Sequence, residues 1–286
     1  MTPAPVAEFP AVRRSYRTEL SAAAALFVLT VRQHTHGRRL LVLGVLYALP
    51  CGLAILLRSL ALPAPADALE FYLVLNLLPH GLAPLTALLY ASGVVRDEIE
   101  EQTLTYLLLR SVPRWAVYAV RLLATLCVTI FLVTAATAAL YLAIYWGTPE
   151  LWGEIFPTRV VRAAGVMALG QVGYCALFGF LGLFARRSLV AGVAYIVAIE
   201  GVLASLNFVA RKLTVVYYVR ALFVHWLDPT AESLRQWQQS GGMTPAAIPS
   251  ARTCVLTVTL FGAIVTLLTA VWFARREFRM KTPGGS

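Results

Sequence analysis

Charge is what this sequence has least of. Only 13% of its 286 residues are Asp, Glu, Lys or Arg, while 59% are hydrophobic. A soluble domain carries about 25% charged residues, so this chain cannot clothe a water-facing globule, and no stretch of it reads as a soluble domain. Cysteine is scarce too. Cys51, Cys127, Cys175 and Cys254 all fall in apolar runs, without metal-site spacing, which argues against a disulfide framework or a metal centre. The N-terminus lacks a short apolar core followed by a small-residue cleavage site, so no removable signal is expected. There is no internal repeat.

Chemistry-bearing motifs are equally absent. No G-x-x-x-x-G-K-[ST] loop is present to cradle phosphates, and neither H-E-x-x-H nor a G-x-S-x-G elbow occurs. No catalytic residue and no resident cofactor is assigned, and any ATP hydrolysis would belong to another polypeptide.

What the chain has is length in apolar runs. Several approach the roughly 20 residues that cross a bilayer. The expected fold is an all-α integral membrane domain over 1–286, with six spans near 40–60, 71–95, 115–146, 160–185, 189–209 and 252–274. Residues 1–39 are read as a proline-rich lead-in and an amphipathic helix lying at the interface, and 275–286 as a tail. The long connection over 210–252 starts rich in Val, Tyr, Phe and Trp. It is expected to form short interfacial or re-entrant helices before span six, where buried backbone is tolerable.

The net charge of +10 would suggest nucleic acid in a soluble protein. Here the arginines flank the apolar runs and report orientation instead. Arg13, Arg14, Arg17, Arg32, Arg38 and Arg39 precede span one, and Arg96, Arg110, Arg114 and Arg121 lie around the next connection. Arg186, Arg187, Arg275, Arg276, Arg279 and Lys281 complete the set. Together they place both termini in the cytoplasm, as for a multi-pass protein of a bacterial inner membrane.

The densest acidic cluster lies in "VVRDEIEEQTLTYLLLRSVPRW", between spans two and three: Asp97, Glu98, Glu100 and Glu101. Asp97 and Glu100 suit a helix start, where free amides and the positive dipole end favour carboxylates. Ile99, Tyr106 and Leu107 recur at helical spacing, and Pro113 should end that helix and open the next. A short cytoplasmic helix with one apolar face is therefore expected.

These residues resemble the permease subunits of ABC transporters of the type-two exporter class. The family pattern E-x-x-x-G-T-L-x-x-L-L-x-x-P-V-S-R is matched by Glu98, Thr103, Leu104, Leu107, Leu108, Val112 and Arg114. Glu101 falls inside it, and Arg121 at a later basic position. Gln102 stands where the family has glycine, and the proline is displaced to Pro113. The resemblance implies a coupling helix (Asp97, Glu98, Glu100, Glu101, Thr103, Leu104, Leu107, Arg114) that docks on a separate ATP-binding subunit, in two copies. It also implies a second permease, identical or paralogous, ATP and Mg held by the partner, and export of a hydrophobic or amphipathic compound. Relatives serving envelope or cofactor assembly keep that alternative open, as does an ion- or proton-coupled secondary transporter.

Within the spans four polar residues are candidates for a substrate pathway: Asn76, His80, Gln171 and Glu200. His80 lies between Pro79 and Pro84, so it serves either a carbonyl freed by a kink or the pathway. Glu200 is expected near the middle of span five. There it either ties that span to a neighbour, with Gln171 as the candidate partner, or faces the pathway. His34 and His36 read as a partly solvated interfacial pair. Gly170, Gly173, Gly179 and Gly182 allow close packing, within the chain or between copies.

Overall fold

The computed structural model describes residues 16–60, 65–94, 113–147, 152–185, 187–202, 209–227, 229, 234–235, 237 and 248–275. Every regular element among them is helical. Five helices are long and apolar enough to cross a membrane: α2 (Arg38–Ser59), α3 (Ala66–Ala91), α4 (Arg114–Ile144), α5 (Val161–Phe184, extended at its start by a π-helical turn, Phe156–Val160) and α8 (Ala251–Arg275). They fall on five of the six expected spans. This is an all-helical, multi-pass membrane architecture, and helices suit it because each satisfies its own backbone polar groups.

Ahead of them, α1 (Tyr16–Thr35) lies against α4, with Leu26 packed on Val117. The chain turns at residues 36–37 and enters α2. Pro113 has extended backbone, and its carbonyl accepts the amides of Ala116 and Val117. It thus stands just outside α4, as the proline's fixed geometry favours.

The close contacts set the helix directions. Tyr118 of α4 meets Gly179 of α5, so these two run antiparallel. Ala83 and Ser92 meet Gln171 and Gly182, so α3 runs parallel to α5. Gly262 and Trp272 of α8 meet Val172 and Phe184, again parallel. A Cβ on Gly182 would overlap the Ser92 carbonyl, and one on Gly262 would lie 2.9 Å from Val172 Cγ1. Gly170, Gly173, Gly179 and Gly182 of α5 thus accommodate neighbours within this chain. Small residues let backbones approach where no hydrophobic drive between helices exists.

Of the expected span over 189–209, the structure describes residues 189–202 and 209. The helix there, α6 (Ser188–Val202), is shorter than 18 residues, and after residues outside the description a 3₁₀ turn follows (Val209–Leu213). Then comes α7 (Val215–Leu227), 13 residues long. Both short helices run antiparallel to α5. Tyr195 and Glu200 of α6 meet Phe178 and Tyr174, whereas Val215, Val219 and Trp226 of α7 meet Gly173, Gly170 and Gly165. Laid end to end in one direction, they cover successive halves of α5. Glu200, buried in α6, faces the start of α7.

Candidate functional site: a polar chain inside the apolar bundle

Residues Glu70–Leu82 of α3 are wound as a π-helix. Pro79 and Pro84 contribute no amide hydrogen, so carbonyls here need partners from side chains. They find them. His80 Nδ1 donates to the Asn76 carbonyl at 2.9 Å, and Gln171 Nε2 to the Ala83 carbonyl at 2.9 Å. The Leu82 carbonyl accepts from the Thr86 hydroxyl (2.7 Å) and lies 3.4 Å from the Tyr47 hydroxyl. Tyr174 OH reaches the Pro79 carbonyl at 3.3 Å. His80 therefore bonds a carbonyl of its own helix four residues before it, while the Pro79 carbonyl, five residues before Pro84, is met by Tyr174.

Asn76 is the hub. Its Nδ2 donates to the Phe71 carbonyl (2.9 Å), while its Oδ1 accepts from Arg220 Nη2 (3.2 Å) and Trp237 Nε1 (3.1 Å). Because a carbonyl accepts from His80 Nδ1, that nitrogen carries the hydrogen, and Nε2 is left as a bare lone pair. Asn76, His80 and Arg220 are half-buried.

Glu200 is completely buried. Its Oε1 accepts from Tyr195 OH at 2.8 Å and from the Val215 amide at 3.2 Å. Its Oε2 accepts from the Val216 amide at 3.1 Å and lies 3.4 Å from Tyr174 OH. Two of the four free amides that open α7 are thus satisfied by a carboxylate from α6, placed where the helix dipole is positive. A carboxylate without partners at this depth would cost several kcal/mol, roughly 2.5–3.5 on insertion scales. Gln171, the partner expected for Glu200, is turned to Ala83 instead. Glu200 lies in α6 and caps the start of α7.

Of the four sequence-derived pathway candidates, Asn76 and His80 are bonded to each other. Glu200 reaches their neighbourhood only through Tyr174, which bridges toward Pro79, and Gln171 is a buried packing residue. Arg220, Tyr174, Tyr195 and Trp237 escaped sequence reasoning. Arg220 lies in the connection expected to be re-entrant, and tyrosines in apolar runs carry no signal of what their hydroxyls meet.

A second cluster ties the helix ends far from residues 94 and 113. Buried Glu70 accepts from Tyr141 OH (2.9 Å), Tyr145 OH (3.2 Å) and Arg159 Nη1 (2.6 Å). It joins α3, α4 and the turn before α5, and nothing in the residue pattern announced it.

The coupling-helix residues Asp97, Glu98, Glu100, Glu101, Thr103, Leu104 and Leu107 lie outside the described residues. Arg114 opens α4. The base of that connection is visible: buried Arg121 donates through Nη1 to the Val94 carbonyl at 3.0 Å. Thr125 Oγ1 donates to the Arg121 carbonyl (2.9 Å), so it accepts from His34 Nε2, also at 2.9 Å. Tyr90 OH donates to the His34 carbonyl at 3.3 Å. The expected histidine pair is split. His36 is exposed, while His34 is buried and linked to α4. Burial, with Arg39 and Arg121 nearby, pushes the His34 imidazole down to about 4, so it is neutral near pH 7.

No protein-family model matches this chain, and no curated protein matches it either.

Proposed function

We infer that this chain is the membrane-embedded permease subunit of an ABC transporter of the type-two exporter class. It couples ATP hydrolysis by a separate ATP-binding subunit to export of a hydrophobic or amphipathic compound. One observation carries the reading. The Glu98–Arg114 pattern sits between two membrane-length helices, and Arg121, the motif's later basic position, binds the Val94 carbonyl at its base. A push on such a helix would be passed to α3, to α4 and, through Thr125 and His34, to α1. Two short helices in series along α5 supply the sixth crossing in halves, which returns the C-terminus to the cytoplasmic side of a bacterial inner membrane.

On this reading a pair of permeases stands on two ATP-binding subunits, which hold ATP and Mg. Closure of the ATPase pair moves the permeases as bodies and alternates access. The carboxylates of Asp97, Glu98, Glu100 and Glu101 give the docking surface register and steering. A proton-coupled secondary transporter is less well supported. Glu200, the acid such a mechanism would need, is surrounded by four donors and acts as a helix cap.

The test is purification from native membranes through a tag on this chain. An ATPase subunit should co-purify, and hydrolysis should vanish when that subunit's phosphate-loop lysine is changed. Transport by the isolated chain under a proton gradient alone would overturn the reading.

A further inference from the structure

Two side chains that hang on Asn76 are incomplete. His80 Nε2 and Arg220 Nε are shielded from solvent and have no hydrogen-bond partner among the described residues. Arg220 makes one side-chain hydrogen bond there, to the neutral Asn76 oxygen. Among those residues no carboxylate lies within ion-pair distance of it. The level is membrane depth: Val219, its neighbour in α7, packs against Gly170 of α5. A guanidinium at such a level normally faces a counter-charge or a water-filled path.

The two orphaned atoms differ in kind. Arg220 Nε–H is a donor with fixed positive charge, whereas His80 Nε2 is an acceptor, its other nitrogen having given its hydrogen to Asn76. A group that completes both must offer an acceptor oxygen and an O–H, and the fixed charge of the guanidinium favours an anionic oxygen. Next to them on α3, Tyr72 and Leu77 are exposed, 57% and 40%, and offer an apolar track continuing from Asn76. Glu70 and Glu200 are the carboxylates buried inside the described bundle, and each is engaged by donors of its own chain.

We propose that Asn76, His80 and Arg220 form a binding site for the phosphate-monoester head group of an amphiphile, whose alkyl chain lies along Tyr72 and Leu77. Arg220 takes the anionic oxygen and His80 Nε2 accepts the P–O–H. Asn76 holds both side chains in place, with Trp237 bonded to the same oxygen. Opening the site requires a shift of Arg220 from its present contact, since both orphaned atoms are closed to solvent. The proposal rests on the permease reading only in treating this ligand as cargo. Binding itself is a property of the chain alone.

The experiment uses the full chain, purified without any ATPase subunit, in phosphatidylcholine nanodiscs at about pH 6, where a phosphate monoester still carries an O–H on a substantial share of molecules. Dodecyl phosphate, laurate, dodecanol and dodecylamine are titrated, with binding read by thermal stabilisation. Dodecyl phosphate should bind about tenfold tighter than dodecanol, the scale of one hydrogen bond to a charged group, and dodecylamine should be weakest. Arg220→Gln should reduce that preference to less than about twofold. Because this variant could fold poorly, Asn76→Asp serves as a second route: it places a carboxylate on Arg220 and should abolish the preference with the arginine still present. Equal affinity for dodecyl phosphate and dodecanol in the wild type, or an undiminished preference in folded Arg220→Gln or Asn76→Asp protein, overturns the proposal. Nanodiscs doped with phosphatidic acid identify the source. Competition by that lipid assigns the site to bilayer phosphate monoesters, and its absence alongside tight dodecyl phosphate binding assigns it to free amphiphiles. Preference for phosphate without a co-purifying ATPase keeps the site and removes the permease reading, while the reverse result removes the site alone.

Discussion

The carboxylate of Glu200 lies 3.1 Å from the amide nitrogen of Val216, a residue of the helix that follows it in the chain. One acid thereby joins the end of α6 to the beginning of α7. The join explains how a helix can begin within an apolar bundle. The free amides at a helix start are costly in lipid unless an acceptor meets them, and an acidic side chain meets two of them.

Replacing Glu200 by glutamine should therefore lower stability before it alters anything else. The amide keeps one acceptor oxygen, and its NH₂ group faces donors that need acceptors. A loss of about 1–3 kcal/mol is expected, with a larger loss for Glu200→Leu. Thermal unfolding of the detergent-solubilised chain checks this, and a glutamine variant as stable as wild type would contradict the capping role.

His34 gives a pH dependence. Its folded-state value is depressed to about 4 from an ordinary 6.5, chiefly by burial. A group depressed in the folded state contributes stability that is fully present above its unfolded value and lost as pH falls through the folded one. The attachment of α1 to α4 should hold above about pH 6.5 and weaken between there and about 4. Hydrogen exchange of the α1 amides should rise over that window. His34→Gln, which keeps a donor for Thr125 without titrating, should flatten the response.

Glycine at 182 is required by the contact between α5 and the end of α3. Gly182→Ala should destabilise by about 1–3 kcal/mol, the range for overpacking a tight contact, because its Cβ would overlap the Ser92 carbonyl. Gly44→Ala is the control, since nothing lies within 4 Å of a Cβ there. Equal unfolding temperatures for the two variants would show that α3 and α5 pack less closely than described.

The acidic stretch before α4 is tested by charge reversal. If the proposed permease reading holds, Glu98→Lys with Glu101→Lys should reduce recovery of an ATPase subunit by about tenfold or more, as for like charges placed across an interface, without affecting membrane insertion. Quantitative pull-down measures it. Wild-type recovery would return both residues to the role of a solvated helix start.

Low charge and long apolar runs decided by themselves that the chain is a helical membrane protein, because backbone polar groups in hydrocarbon leave few alternatives. They also placed five membrane-length helices, with ends within four residues of those observed and starts within seven. That Pro79 and Pro84 leave carbonyls in need of donors was legible for a local reason: proline lacks a donor, and a side chain can supply one. What the sequence could not decide was which distant groups meet. Gln171 faces Ala83, Tyr174 stands between Pro79 and Glu200, and Arg220 rests on Asn76, 144 residues away in the chain. The meeting of α6 with α7, a helix of the connection expected over 210–252, belongs with these. Residues 189–209 are apolar enough for a continuous helix, and a single glutamate among them does not reveal its acceptor role. Only packing against α5 brings Glu200 to the amides of Val215 and Val216, where it caps two free N–H groups at a helix start.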